Sequence, residues 1–195
     1  MIRNWIEQPG HPILSASREG GRLVLSQERF TYLPQESEQE WLIPVAVRVF
    51  LRQGGSRVVQ TLLDRRSMEI EIGEEAQAYQ VNAGQTGFYR VRYAEKENLH
   101  ELGRMAADKR LGPEERWGLQ NDLYALVKRG EVPLTEYLDF LAHYGEEESF
   151  LPLTSIGDHL YHAFLITQGD LNSRVQAIGK NLFEKVLTRI GYEPG

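Results

Sequence analysis

No cysteine occurs among the 195 residues. That absence excludes disulfides, thiolate nucleophiles and cysteine-ligated zinc, and it fits a cytoplasmic protein. No stretch approaches 18 uninterrupted apolar residues, so no membrane span is expected, and Met1-Ile2-Arg3-Asn4-Trp5 lacks the apolar core of a signal peptide. Positive charge is also in short supply. With 28 acidic against 22 basic residues the net charge is −6, which argues against nucleic acid as a partner, because such binding needs a basic surface to displace counterions from phosphates. What is present is a globular composition: 41% hydrophobic and 26% charged residues leave little room for extensive disorder. A chain of this length can bury about two-thirds of its unfolded surface, in one large or two small domains.

The usual signatures of catalysis are missing as well. There is no H-E-x-x-H pair on a helix, no G-x-S-x-G elbow and no phosphate-binding G-x-x-x-x-G-K-[ST] loop. His159 and His162, with Asp158 beside them, come nearest to a metal pair. Two ligands are too few for a typical site, so hydrogen-bonded or surface histidines are expected there. Arg116 and Asn121-Asp122 place polar groups on an otherwise apolar helix, where solvent contacts and a buried structural pair are the expectation. No catalytic, cofactor-binding or metal-ligating residue is therefore assigned to this chain.

The first half has a period of two. Trp5 to Pro12, with two prolines and a glycine, suits an extended lead-in rather than a helix. Ile13–Ser17 and Arg22–Arg29 flank Gly20-Gly21, a pair suited to a tight hairpin, and the acidic stretch 31–40 is expected to be a loop. Trp41–Leu51 alternates through Ile43, Val45, Val47, Val49 and Leu51, with Pro44 pointing to a strand start or an edge. Val58–Leu63, Met68–Ile72, Ala78–Asn82 and Phe88–Tyr93 complete seven short strands, the number expected of an antiparallel β-sandwich. In the last strand Tyr89, Val91 and Tyr93 share one face, while Arg90 and Arg92 share the other.

Beyond Tyr93 the period changes to about 3.6. Leu99, Leu102 and Ala106 form a first helical stripe. Pro113, Glu114 and Glu115 open a second helix that Lys128, Arg129 and Gly130 close, with Trp117, Gln120, Leu123, Tyr124 and Val127 along it. Leu134, Leu138 and Leu141 mark a third. Glu146-Glu147-Glu148 then reads as a solvated connector or as first-turn charge before the next helix. Leu153, Ile156, Leu160 and Phe164 give a fourth helix; Val175, Ile178, Leu182, Val186 and Ile190 give a fifth, capped by Gly191 with Pro194 beyond. The fold class is thus α+β: an N-terminal antiparallel β-sandwich over 1–93, then an all-α bundle or truncated α-solenoid over 94–195.

Several stretches together resemble one family. Trp5-Ile6-Glu7-Gln8-Pro9-Gly10-His11-Pro12, Gln27-Glu28-Arg29-Phe30, Trp41-Leu42-Ile43-Pro44-Val45 and Asn82 to Tyr93 are similar, in order and spacing, to the gluzincin zinc aminopeptidases, the family of aminopeptidase N, puromycin-sensitive aminopeptidase and the tricorn-interacting factors. Glu115-Arg116-Trp117-Gly118-Leu119-Gln120-Asn121-Asp122 and Gly191-Tyr192-Glu193-Pro194 extend the resemblance over nearly the whole chain. It implies that the first half is the small β-sandwich domain of that family and the second half the start of its C-terminal helical domain. The family's H-E-x-x-H helix, third glutamate ligand, G-A-M-E-N motif and catalytic tyrosine match no position here.

What the resemblance implies is a non-catalytic piece of a zinc metallo-aminopeptidase that removes N-terminal residues from peptides. The sandwich would be a spacer, the helices a cap over the substrate chamber, and Arg90 and Arg92 would hold the orientation of the two domains. Its partners would be the upstream catalytic domain and a peptide substrate, with zinc held elsewhere in the parent. Faces uncovered by missing domains favour self-association. Two other readings stand beside it: a protein-interaction scaffold without an enzymatic parent, and a carbohydrate-binding sandwich with Trp5 and Trp41 as an aromatic platform.

Overall fold

A computed structural model describes residues 2–33, 35 and 37–192; Pro34 and Glu36 in the acidic loop and the terminal Glu193-Pro194-Gly195 lie outside the described residues, so the expected role of Pro194 does too. The chain divides into two compact units, Met1–Leu102 and Gly103–Gly195.

The first unit is a sandwich of two sheets. Strands β1 (Pro12–Glu19), β2 (Arg22–Arg29), β5 (Ser67–Glu71) and β7 (Arg90–Tyr93) form one sheet in the order β5-β2-β1-β7; β3 (Ile43–Leu51), β4 (Ser56–Leu63) and β6 (Ala76–Val81) form the other in the order β4-β3-β6. Six of the seven pair antiparallel, and β7 joins β1 in parallel, with Leu14 opposite Val91. The alternation seen in the sequence decides the faces: Ile43, Val45, Val47 and Val49 of β3 turn inward against Leu14, Leu23, Leu25 and Val91 of the opposite sheet. Pro44 is tolerated because β6 pairs with β3 only from Val47 onward, so the missing N–H falls where β3 has a partner on one side. Arg92 Nη2 donates to Glu28 Oε1 at 2.6 Å, and the Arg90 guanidinium lies 5.9 Å above the Phe30 ring.

One expectation fails at the N-terminus. Trp5 and Ile6, the start of the expected extended lead-in, instead close a short helix, α1 (Ile2–Ile6), while residues 7–11 stay non-helical. The tertiary contacts explain it: Trp5 packs on the sandwich core and donates its indole N–H to the Leu42 carbonyl at 3.0 Å, while Asn4 bridges the Glu40 carbonyl and the Leu42 N–H. Trp41 is only 1% exposed and lies 6.4 Å from Trp5, so the pair is core and not a sugar platform.

Side-chain amides close the places where the ladders stop. The buried Gln27 amide accepts from the Trp41 N–H at 2.8 Å and donates to the Trp41 carbonyl at 2.9 Å. Asn98, in the first turn of α2 (Lys96–Ala107), does the same for Tyr79 on β6, accepting from its N–H and donating to its carbonyl, both at 2.9 Å. Glu95, just before that helix, accepts from the Tyr79 hydroxyl and, at 2.7 Å, from the Arg18 N–H. Each of the Gln27 and Asn98 bonds satisfies a buried peptide group that would otherwise cost about 1–3 kcal/mol.

The second unit contains α3 (Pro113–Arg129), α4 (Leu134–Phe140) with a 3-10 turn over Leu141–Tyr144, α5 (Phe150–Ile166) and α6 (Gly169–Arg189). The unit boundary falls inside α2. Helix α3 begins as expected, with Pro113 in its first turn and the Glu115 carboxylate accepting from the Gly112 N–H at 2.8 Å; Gly130 ends it at φ 80°. The helix is buried well beyond one stripe, with Leu119, Gln120, Leu123, Tyr124, Ala125 and Leu126 all inside. In α5, Leu153, Ile156 and Leu160 are buried as expected, whereas Phe164 is exposed and Ala163 takes the inward place.

Replacing Gln27 by Leu strands both polar groups of the Trp41 peptide. Urea unfolding of Gln27→Leu should show a loss of about 2 kcal/mol; a loss below roughly 0.5 kcal/mol would mean that water replaces the amide. Gly87→Ala is expected to be at least as damaging, because a Cβ there would stand 2.1 Å from the buried Tyr89 ring.

Candidate functional site

The densest group of chemistry-bearing side chains lies in the helical unit and is organised by one face of α3, where Arg116, Gln120 and Tyr124 follow at four-residue spacing. Arg116 is buried. Its Nε and Nη2 donate to the two carboxylate oxygens of Glu147 at 2.6 and 2.8 Å, Nη2 also reaches Ser149 Oγ at 2.9 Å, and Nη1 donates to the Leu111 carbonyl at 2.6 Å. Glu147 further accepts the N–H groups of Glu148 and Ser149, each at 2.9 Å, and has the Lys109 ammonium at 3.4 Å.

This corrects the expectation for the acidic run. Glu146 and Glu148 are surface residues pairing with Lys185 and Arg189 of α6, but Glu147 is 3% exposed. Burial alone would raise its pKa; the Arg116 hydrogen bonds, the two backbone N–H groups and the Arg116 charge outweigh that and hold it at about 2. Nothing in three consecutive glutamates tells which one turns inward. The signal was on the other side, in an arginine set on the buried side of a helix and thus in need of a carboxylate.

One turn further along α3, Gln120 donates to Ser155 Oγ at 2.9 Å, and its carbonyl oxygen lies 3.0 Å from both the Tyr137 hydroxyl and His159 Nδ1. The Tyr137 hydroxyl is 2.9 Å from the same Nδ1, the Tyr124 ring stacks on the His159 ring at 3.9 Å, and the Tyr124 hydroxyl donates to the His159 carbonyl at 3.2 Å. The Tyr144 hydroxyl donates to the Arg116 carbonyl at 2.7 Å. Burial raises the pKa of Tyr124, Tyr137 and Tyr144 alike, so all three stay protonated hydrogen-bond donors at neutral pH.

The two candidate histidines are separated by their places on α5. His159 faces inward toward Gln120 and Tyr137, whereas the exposed His162 has Nδ1 at 2.8 Å from the Asp158 carbonyl. They do not converge, and among the described residues no three His, Asp or Glu side chains are grouped to hold a metal ion. What the network does chemically is join α3, α4, α5 and the 144–149 segment through groups whose donors and acceptors face one another.

The sequence of the second unit and the end of the first has a family. Residues 78–195 match the model of the ERAP1-like C-terminal domain, and the chain belongs to that family. It is a C-terminal domain of aminopeptidases, and the named relatives agree. Leucyl aminopeptidase of Saccharolobus solfataricus is 28% identical over 161 residues, covering 83% of this chain and 19% of the relative. Tricorn protease-interacting factor F2 of Thermoplasma acidophilum is 30% identical over 166 residues, 85% and 19% of the two chains, and puromycin-sensitive aminopeptidase of Caenorhabditis elegans is 26% identical over 203 residues, 100% and 21%. The chain spans about a fifth of the length of these relatives.

Glu147→Gln removes the charge that Arg116 is buried against and should destabilise the protein by about 3 kcal/mol. Because the folded pKa, about 2, lies below the ordinary 4.5, the stabilisation by Glu147 is complete above pH 4.5 and is lost as pH falls toward 2. Denaturant titrations from pH 6 to pH 2.5 should show a steeper acid loss for the native protein than for Glu147→Gln; parallel curves would contradict this role.

Proposed function

We propose that this chain is a non-catalytic C-terminal part of a zinc aminopeptidase that releases N-terminal residues from peptides. In this reading the sandwich is a spacer between a catalytic domain and the helices, and the helical unit caps the substrate chamber. The observation that carries the reading is the family match over 78–195, together with relatives about five times as long that bear aminopeptidase names. The saturated network around Arg116 and Gln120 supports a holding role for α3, since its polar groups face partners within the unit.

Zinc, in this reading, belongs to residues of the parent outside this chain. The surface of α5 supports a larger helical array: Tyr161, Leu165 and Ile166 are exposed while Ile156, Leu160 and Ala163 are buried, and a helix apolar on both sides belongs between two layers. Domain closure over the chamber would admit peptide and then exclude water. A cytoplasmic setting belongs to the same proposal, supported by the lack of cysteine.

The test compares two polypeptides. The 195-residue chain with stoichiometric zinc should release nothing from an amino-acid amide reporter, whereas the product of the whole reading frame should hydrolyse it and lose that activity to a chelator. Turnover by the short chain would refute the non-catalytic assignment; a reading frame with no H-E-x-x-H upstream would refute the aminopeptidase parent and leave the scaffold.

A further inference from the structure

The two sheets of the sandwich have four edges between them, and three are blunted. Strand β5 is five residues long and sets Glu69 and Glu71 against Arg22. Strand β7 has only four residues, two of them arginines. Strand β6 is closed by side chains: Asn98 Oδ1 accepts the Tyr79 N–H at 2.9 Å and the Tyr93 hydroxyl accepts the Val81 N–H at 3.1 Å. Strand β4, the outer strand of the other sheet edge, has none of these devices. It runs for eight residues without proline or lysine and pairs with β3 in unbroken register from Leu63 opposite Ile43 to Ser56 opposite Phe50. Its one charged side chain, Arg57, is turned to the Ile72 carbonyl at 2.8 Å.

The phase of the hydrogen bonds decides what this edge offers. Leu51 donates its N–H to the Gly55 carbonyl at 3.1 Å, and the two lie in the register that continues through Val49 with Arg57 and Val47 with Val59. Bonded and non-bonded pairs alternate along an antiparallel ladder. The odd-numbered residues of β4 therefore direct their peptide groups to β3, whereas the N–H and C=O groups of Val58, Gln60 and Leu62 point away from it. The side chains of the same three residues face solvent, with Val58 50% and Leu62 41% exposed. Outward peptide groups and exposed apolar side chains on the same residues make a template for another strand.

We infer that β4 is the site at which a second copy of this chain docks, edge to edge and antiparallel about a twofold axis at Gln60, joining two three-stranded sheets into one. The strand's own sequence selects that partner. With Gln60 opposite its counterpart, Val58 of each copy lies opposite Leu62 of the other, so both apolar side chains are covered twice, and the two Gln60 amides meet as donor and acceptor at the centre. The next pairs outward set Ser56 against Asp64, and no like charges meet. The register is specified too: an axis at Val58 would set Leu62 against Gly54, and an axis at Leu62 would set Val58 against Arg66. A foreign extended peptide could use the same peptide groups, but only a second copy supplies both apolar pairs by symmetry. The contact is smaller than a standard interface, so a dissociation constant on the order of 10–100 µM is expected. The inference does not depend on the aminopeptidase reading.

Because the chain has no cysteine, a single introduced thiol reports the register directly. Under mild oxidation Gln60→Cys should form a disulfide-linked dimer, since opposed residues of such a pair lie about 5.5 Å apart at Cα, within disulfide reach. Val58→Cys alone should stay unlinked, its counterpart being more than about 13 Å away along the strand, whereas a mixture of Val58→Cys and Leu62→Cys should link the two variants. No disulfide at Gln60→Cys, or Val58→Cys linking to itself as readily, would overturn the inference. Gln60→Pro removes an N–H that β3 does not use, so the urea midpoint should hold. Dimerisation of the 195-residue chain, followed by sedimentation over about 1–300 µM, should weaken at least about tenfold in that variant. A native chain that stays monomeric across the series, or a dimer indifferent to Gln60→Pro, would overturn it as well, and the cysteine pattern decides the matter even where the proline disturbs the fold.

Discussion

Every peptide group buried outside a ladder or a helix must find a partner, and in this protein side-chain amides supply a large share of them. Gln27 pairs with the Trp41 peptide, Asn98 with that of Tyr79, Asn82 with that of Gly87, and Asn4 bridges residues 40 and 42. Each acts as a strand of one residue. Together they let two small sheets of four and three strands end where the chain has to turn, with the peptide groups of Trp41, Tyr79 and Gly87 matched. The helical unit solves the same problem with charge: Arg116 and Glu147 are both buried, and the carboxylate is held by backbone N–H groups as well as by the guanidinium.

Much of the fold was legible from periodicity. Among the described residues the seven strands and the helices α2 to α6 appear where alternation and 3.6-residue spacing put them, α4 being cut short by a 3-10 turn at Leu141, because burying one face of each element is what the hydrophobic residues demand. The errors are instructive. Residues 2–6 are helical despite the prolines that follow, since Trp5 and Asn4 are fixed by contacts to residues 40–42, far away in sequence. Glu147 lies in a run of three like charges that carries no mark of which member is inside; only the three-dimensional position of Arg116 decides it. His159 and His162 look equivalent as a sequence pair, yet the first is buried against Gln120 and Tyr137 and the second is exposed.

The interior and the surface make different demands on function. Inside, hydroxyls, amides and charges meet one another, which suits a part whose task is to hold geometry. Outside, α5 and the Phe88 turn present apolar side chains to solvent, and such surface is costly unless something covers it. The chain, a member of the ERAP1-like C-terminal family, thus pairs a hydrogen-bonded interior in its helical unit with apolar side chains left exposed on α5 and at Phe88.

The pairing of Asn98 with Tyr79 has a chemical corollary. An amide offers donor and acceptor at the spacing of a peptide group, and hydrolysis to the acid keeps its shape while replacing the donor by a negative oxygen that would face the Tyr79 carbonyl. The same exchange at Gln27 or Asn82 would set a carboxylate against the carbonyl of Trp41 or Gly87. Loss of one such amide nitrogen would therefore tell at the margins of the sheets, while the aliphatic interior between them has no atom that such chemistry can change.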